Sequence, residues 1–211
     1  YDISHWKIVP DFALISPRPA LVITKATEGI SYVDPTFADY YTGIRRAGYA
    51  RGCFHFFCKA YPALDQAKHF AKTVLQYSTP DDILVLDFEE GGETAWQLMT
   101  FLVYVYSIFP LNIIMNYSRK NLMDAIVMTQ AQKDILKGYP SWTAGYLLYP
   151  DQYSSVPDFY TPDQTRWGPV WLWQYTDHGS VTGISGDVDC NWIHPTLAQI
   201  IGGTQPPTNG G

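Results

Sequence analysis

The stretch Ile83-Leu84-Val85-Leu86-Asp87-Phe88-Glu89 runs four apolar residues directly into two acids one residue apart. An unbroken, partly β-branched apolar run of this length reads as a strand buried on both faces, the kind that parallel sheets use. Side chains at i and i+2 of a strand point the same way, roughly 6–7 Å apart along the chain. Asp87 and Glu89 therefore share a face at the mouth of a buried strand, a costly place for acids without a task. Paired carboxylates at this spacing suit an acid with a stabilising or nucleophilic partner, as cleavage of a glycosidic bond requires. The same residues also fit a strand that runs into a solvated acidic loop, Glu89-Glu90-Gly91-Gly92-Glu93.

Outward from this strand, short apolar runs alternate with helical stretches. Strands are expected at residues 1–4, 20–25, 51–57, 83–88, 112–117, 142–147, 170–175 and 187–190. A first helix is expected from Asp34 as N-cap and Pro35 at the first helical position, with Phe37, Tyr40, Tyr41 and Ile44 on one face. Others are expected over residues 62–77, 93–108, 119–125 and 129–136, with a short one at 195–201. Alternation of this kind implies parallel strands joined by helical crossovers. Beyond about residue 140 the helices give way to Pro-, Gly- and Asp-rich loops until that short terminal one. The fold class is therefore α/β: an irregular TIM-like barrel of about eight strands and about five helices, its last strands joined without helices. An open doubly wound sheet is the alternative, but the first connection lacks a GxGxxG turn. Residues 1–201 are expected to form the barrel. Residues 202–211, rich in Gly and Pro, read as a flexible linker that leads to a further module or a tail.

A chain of 211 residues with 46% apolar and 16% charged residues supports a large single core. Its 16 Tyr and 7 Trp suit ligands that are apolar on one face, such as sugars. The net charge of −6 argues against nucleic acid and gives no attraction to an anionic polymer. No run reaches the ~18 apolar residues of a membrane span. The chain opens at Tyr1 without a leader-like segment, and a processed or trimmed protein is expected. Cys53, Cys58 and Cys190 form no CxxC, and the 5 histidines no HExxH, so buried thiols and no metal site are expected. Asn116-Tyr117-Ser118 matches a glycosylation sequon at a strand end.

Catalytic groups of a parallel barrel collect at the C-terminal ends of its strands. Asp2 after the first strand, Asp87 and Glu89 after the fourth, and Asp189 in the last are the acids so placed. Closure makes the first and last strands neighbours, which brings Asp2 near Asp189 and sets one acid pair opposite the other. Like charges this close raise at least one carboxyl pKa, as a general acid near neutral pH requires.

The chain resembles glycoside hydrolase family 25, the muramidases or lysozymes of bacteria, phages and some fungi. The stretches that carry the resemblance are Asp2-Ile3-Ser4-His5, Lys25-Ala26-Thr27-Glu28-Gly29, Gly52-Cys53-Phe54-His55-Phe56, Leu86-Asp87-Phe88-Glu89 and Trp173-Gln174-Tyr175-Thr176, with Val188-Asp189 and Asn191. They follow in the family's order up to about Gly202. The resemblance implies hydrolysis of the β-1,4 bond between N-acetylmuramic acid and N-acetylglucosamine, without metal or cofactor. Peptidoglycan glycan strands are the implied partner of a monomer that acts outside the cell on the bacterial wall, aided by a wall-binding module. Glu89 takes the acid role and Asp87 stabilises the reacting sugar, either holding its 2-acetamido group as internal nucleophile or attacking directly. Asp2 and Asp189 orient substrate and tune Glu89. Tyr117, Trp142 and Tyr146 are implied sugar contacts, and Tyr32, His55 and Gln174 further lining residues; His55 fits a core histidine equally well. Lys25 and Glu28 are expected to pair.

Two departures stand out. Only Tyr1 precedes Asp2, which implies a thinly anchored barrel seam, and an insert over residues 147–166 is expected to reshape one wall of the cleft. A sugar-binding barrel without catalysis and a chitinase-like hydrolase are the competing functions. The first sits poorly with four retained acids. The second usually has a longer barrel and an extra Asp upstream on the acidic strand, which Ile83–Leu86 lacks.

Overall fold

Eight strands close into a barrel in the computed structural model, which describes residues 1–9, 11–146 and 155–202. The strands are β1 (Asp2–Ile3), β2 (Leu21–Glu28), β3 (Tyr32–Val33), β4 (Ala50–Phe56), β5 (Ile83–Asp87), β6 (Ile113–Arg119), β7 (Ser141–Ala144), β8 (Val170–Gly179) and β9 (Val188–Ile193). The helices are α1 (Phe37–Arg46), α2 (Ala63–Val74), α3 (Ala95–Ile108), α4 (Lys120–Ala125), α5 (Gln130–Leu136) and α6 (Pro195–Ile200). The ring runs β1-β2-β4-β5-β6-β7-β8-β9 and back to β1, and β3 is a short extra strand folded onto β2. Neighbours from β1 to β8 are parallel, whereas β9 is antiparallel to both β8 and β1. All eight expected strands are present. The seam is pinned by Asp2 against Ile23 and Ile3 against Thr24, with Asp2 also opposite Asp189.

Register decides which side of each strand looks inward. Parallel pairing aligns Ile23, Gly52, Ile83 and Ile113 in one row. Leu21, Ile23, Ile83, Val85, Met115, Tyr117, Trp142 and Leu172 fill the barrel interior. The alternate residues, including Cys53, Phe57, Leu84, Leu86 and Phe88, face the helices and pack on Phe37, Phe70, Leu98 and Phe101. Gly52 is fixed by this packing: a Cβ there would meet the Ile83 carbonyl oxygen at 2.7 Å, where β4 passes β5. At the lower end, Leu197 of α6 joins the interior cluster and plugs the barrel opposite its mouth.

The expected start of α1 shifts by two residues. Asp34 accepts from the Thr36 backbone N–H at 2.9 Å and from its hydroxyl at 2.7 Å, so it shapes the turn before the helix, which begins at Phe37 after Thr36. α3 starts on a full capping box, with Thr94 bonded to the Gln97 N–H and Gln97 to the Thr94 N–H. The flank that lacks crossover helices is covered by the segment after β1 and the loop before β9. Ser16 and Thr182 bridge there with N–H to carbonyl distances of 3.0 and 3.2 Å, above a cluster of Ile3, Phe12, Ile15, Val181 and Val188. Asn116 of the sequon is fully buried in β6 and is closed to glycosylation. Among the described residues, no helix is long and apolar enough to cross a membrane.

Candidate active site

Four acids meet at the mouth. Asp87 is the last residue of β5, and Glu89 lies two residues beyond it. Asp2 opens β1 rather than following it, as the sequence had suggested. Asp189 is the second residue of β9 and pairs directly across from Asp2. Because β9 runs antiparallel, its first residues lie where the parallel strands end. In the eight-strand ring β5 stands opposite β9, so the two acid pairs face one another across the mouth.

Burial controls their protonation. Asp87 is 5% exposed, and its carboxyl is pushed well above the ordinary carboxylate range by desolvation first and by the Glu89 charge second. Glu89 is also raised, chiefly by burial, although Arg119 opposes the shift from 4.0 Å. The two carboxyls lie within each other's field, and both are raised from their ordinary values. Asp189 is pushed up to about 8 by burial and by Asp2, to which it also hydrogen-bonds. Asp2 is raised by burial in spite of hydrogen bonds from Asn191 and Gln174. Among the described residues no amide or hydroxyl donates to Asp87 Oδ1, which leaves that buried oxygen for a substrate N–H.

Beneath the acids lies a polar network that spans the whole chain. Gln174 Nε2 donates to both Asp2 oxygens at 3.1 and 3.2 Å, and Asn191 Nδ2 donates to Asp2 Oδ2 at 2.6 Å. Gln174 Oε1 in turn accepts from the Tyr117 hydroxyl at 2.8 Å and the Tyr146 hydroxyl at 3.0 Å. Trp142 Nε1 donates to Asn191 Oδ1 at 2.8 Å. Each buried polar group here is satisfied by another, which fixes the Asp2 carboxylate in one orientation.

The expected lining residues divide into three sets. Tyr146 and Tyr32 are exposed on the rim; Tyr32 opens β3, which folds onto β2, and Tyr146 lies just past β7, on opposite sides of the ring. Tyr117, Trp142 and Gln174 are buried, at 5%, 2% and 4% exposure, and form the floor rather than a sugar-facing wall. His55 is not in the site. It faces outward between β4 and the helices, bonded to Thr27 at 2.8 Å and Gln66 at 3.2 Å and stacked on Phe101. The inward residues of that strand are Gly52, Phe54 and Phe56, and alternation puts His55 on the other face. Lys25 does pair with Glu28, at 2.6 Å, and its charge also opposes the upward shift of Asp87. Of the 147–166 insert, residues 147–154 lie outside the described residues, as does the tail from residue 203; Phe159 and Tyr160 stand beside Tyr146.

Four residues at the mouth had no site role in the sequence reading, although His5 and Asn191 stand in the stretches that carry the family resemblance. Asn191 was legible as the i+2 partner of Asp189 on the same strand face. His5 carries no such signal: Asp34, 29 residues away, accepts from its backbone N–H at 3.2 Å and contacts its ring at 2.7 Å. Burial alone would raise Asp34, but the bonds from Thr36 and His5 outweigh it and hold the carboxyl below its ordinary value. His5 places Trp6, 78% exposed, at the rim with ring centroids 4.3 Å apart. Arg119 becomes visible as a site residue only once β6 is set beside β5.

Comparison with known proteins agrees with this geometry. Residues 1–184 match the sequence profile described as Glycosyl hydrolases family 25. Lysozyme M1 of Streptomyces globisporus is 27% identical over 221 residues, spanning 95% of this chain and 69% of its own length. Protein YegX of Escherichia coli O6:H1, described as uncharacterized, is 29% identical over 210 residues, with coverage of 95% and 71%. Among solved structures, the bacterial lysozyme from Streptomyces coelicolor superposes with a TM-score of 0.77 at 25% identity, over 95% of this chain and 93% of that one.

Proposed function

Because the chain belongs to the glycosyl hydrolases of family 25, we propose that it is a muramidase that cleaves the β-1,4 bond between N-acetylmuramic acid and N-acetylglucosamine in bacterial peptidoglycan. The observation that carries this reading is the mouth itself: two carboxyl pairs face one another, and burial raises Asp87 and Glu89 from their ordinary values.

Glu89 is the acid. Its side chain is 26% exposed, so it reaches substrate, while burial raises its carboxyl from the ordinary value. It gives its proton to the leaving glycosidic oxygen as the carbonyl oxygen of the substrate's own 2-acetamido group attacks the anomeric carbon. Asp87 accepts the acetamido N–H through its free oxygen and stabilises the positive charge of the oxazolinium ring. The Glu89 carboxylate then takes a proton from the water that opens that ring, and the anomeric configuration is retained. A retaining pair with an enzyme nucleophile holds its carboxyls about 5–5.5 Å apart around the anomeric carbon. The acetamido route asks of Asp87 only that it accept an N–H, and its buried Oδ1, which has no donor among the described residues, supports that route. Asp2, locked by Gln174 and Asn191, and Asp189 orient the sugar and set the field at Glu89. Tyr32, Trp6 and Tyr146 offer aromatic edges to a glycan lying across the mouth.

Residues 1–201 would be the catalytic unit, acting outside the cell as a monomer. A net charge of −6 gives it no electrostatic pull toward an anionic wall, so affinity would come from a separate binding module beyond residues 202–211.

Glu89→Gln tests the assignment. Product release from purified peptidoglycan should fall by about 10²–10⁴-fold, the contribution of a positioned acid, while the circular dichroism spectrum stays unchanged. Retained activity would remove Glu89 from its role. New reducing ends on N-acetylmuramic acid, rather than products from chitin, separate this reading from a chitinase-like one, and an initial β-anomer would support retention.

A further inference from the structure

A cavity of about 650 Å³ opens beside the acids, within the roughly 300–1,000 Å³ typical of small-molecule sites. Arg119 and Lys120 wall it where β6 meets α4, Gly145 and Tyr146 wall it past β7, and Phe159 and Tyr160 close the far side. The wall is built rather than incidental. A Cβ on Gly145 would lie 2.0 Å from the Tyr160 ring, so only glycine lets that ring lie against the backbone. The Tyr160 hydroxyl donates to the Tyr146 carbonyl at 2.7 Å, and Thr143 Oγ1 donates to the Tyr160 carbonyl at 2.9 Å.

The charge of this cavity is out of keeping with its surroundings. The mouth carries four acids, yet two cations line the cavity. Lys120 is paired with Asp124. Arg119 stands 4.0 Å from Glu89, its side chain is 58% exposed, and its guanidinium has no hydrogen-bonding partner among the described residues. A neutral glycan offers a guanidinium nothing to pair with, whereas a carboxylate matches its fork.

We propose that this cavity receives the carboxylate-bearing lactyl branch of the muramic acid, with Arg119 as the partner of the carboxylate. The proposal rests on the muramidase reading. The three-carbon lactyl group alone would fill little of the cavity, so the branch is taken to include the peptide joined to it. Phe159 and Tyr160 then pack against the aliphatic part of that peptide, while Lys120 is neutralised by Asp124, which also lines the cavity, and leaves Arg119 as the cation for the carboxylate.

Kinetics of the wild type, Arg119→Gln and Lys120→Gln on three glycans test this: one bearing its peptides, one stripped by an amidase to free lactyl carboxylates, and one stripped and then amidated to neutrality. Arg119→Gln should lower kcat/KM on the peptide-bearing glycan about fivefold more than on the neutral one, with the selective part of the loss in KM. Lys120→Gln should act in the same direction and less. Any change in Glu89 that Arg119→Gln causes is common to all three glycans and drops out of the ratio. A loss selective for the peptide-bearing glycan identifies a peptide carboxylate as the ligand; a loss selective for the stripped glycan identifies the lactyl carboxylate, which is an amide wherever the peptide is joined; equal losses on these two, larger than on the neutral glycan, show that Arg119 takes either. Equal losses on all three, or none, would overturn the proposal. If the wild type cleaves none of the three, it is the muramidase reading that fails.

Discussion

Gln174 joins the two halves of the site, and its replacement by Leu is the sharpest test of the network beneath the acids. The side chain is 4% exposed and makes four hydrogen bonds: two from Nε2 to Asp2 and two accepted at Oε1 from Tyr117 and Tyr146. Leu keeps the volume and removes all of them. The Tyr117 hydroxyl is then left buried without an acceptor, at about 1–3 kcal/mol, and the Asp2 carboxyl loses a charge-assisted donor worth about 1.5–3 kcal/mol. Tyr146 is half in solvent and rehydrates at little cost. Together these give about 3–5 kcal/mol, equivalent to a fall in Tm of roughly 6–20 °C for a domain of this size. Thermal and urea unfolding at neutral pH measure it, alongside Tyr146→Phe, which should cost under about 1 kcal/mol. A double-mutant cycle with Tyr117→Phe should show the two losses to be strongly non-additive, because they remove one bond in common. A Gln174→Leu protein within about 1 kcal/mol of the wild type would refute the reasoning, since orphaned buried groups at this depth have no cheaper outcome.

Three other expectations follow from the same physics. Asp189 is held up to about 8, so between about pH 4 and pH 8 the folded protein keeps a proton that the unfolded chain has released, and stability falls as pH rises. Asp189→Asn should therefore gain Tm over the wild type progressively across that range, on the order of 1–2 kcal/mol after allowance for solvent screening; a pH-independent difference would count against it. Desolvation lowers His55 to about 3, so the folded ring stays neutral while the unfolded chain binds a proton below 6.5, and stability is lost as pH falls through that value. Its imidazole resonances should not titrate between about pH 7 and pH 5, and a midpoint near 6.5 would place it in solvent. Arg51 clasps Asp82 at 2.8 and 2.9 Å, buried at the end of the barrel away from the mouth. Arg51→Met strands that carboxylate and should cost about 3–5 kcal/mol in unfolding experiments, with KM unchanged in the cold; an altered KM would link the pair to the site.

The acid pairs also explain why one barrel can host proton transfer at neutral pH without a strongly basic group in the centre. Desolvation raises all four carboxyls, and the Glu89 charge on Asp87 and the Asp2 charge on Asp189 add to it. Lys25 and Arg119 temper the shifts of Asp87 and Glu89 from either side. Such groups titrate as pairs, so pH–rate profiles should be assigned to the dyads.

What the sequence determined by itself is local and periodic. Apolar runs marked all eight strands, alternation set Asp87 and Glu89 on one face, and ordered motifs carried the family and its four acids. Signals of this kind lie within a few consecutive residues, because strand and helix repeats are short. Tertiary structure decided the rest. Strand parity says which residues share a face but not which face looks inward, and only the register of Gly52 against Ile83 sends His55 outward. Nothing near Asp189 encodes that β9 runs antiparallel and so delivers its first residues to the mouth. The bonds from Gln174 to Asp2 span 172 positions, and Arg119 meets Glu89 only because β6 lies beside β5. Those contacts arise when the ring closes, since closure alone sets which distant carboxylates share one dry mouth and so raise one another.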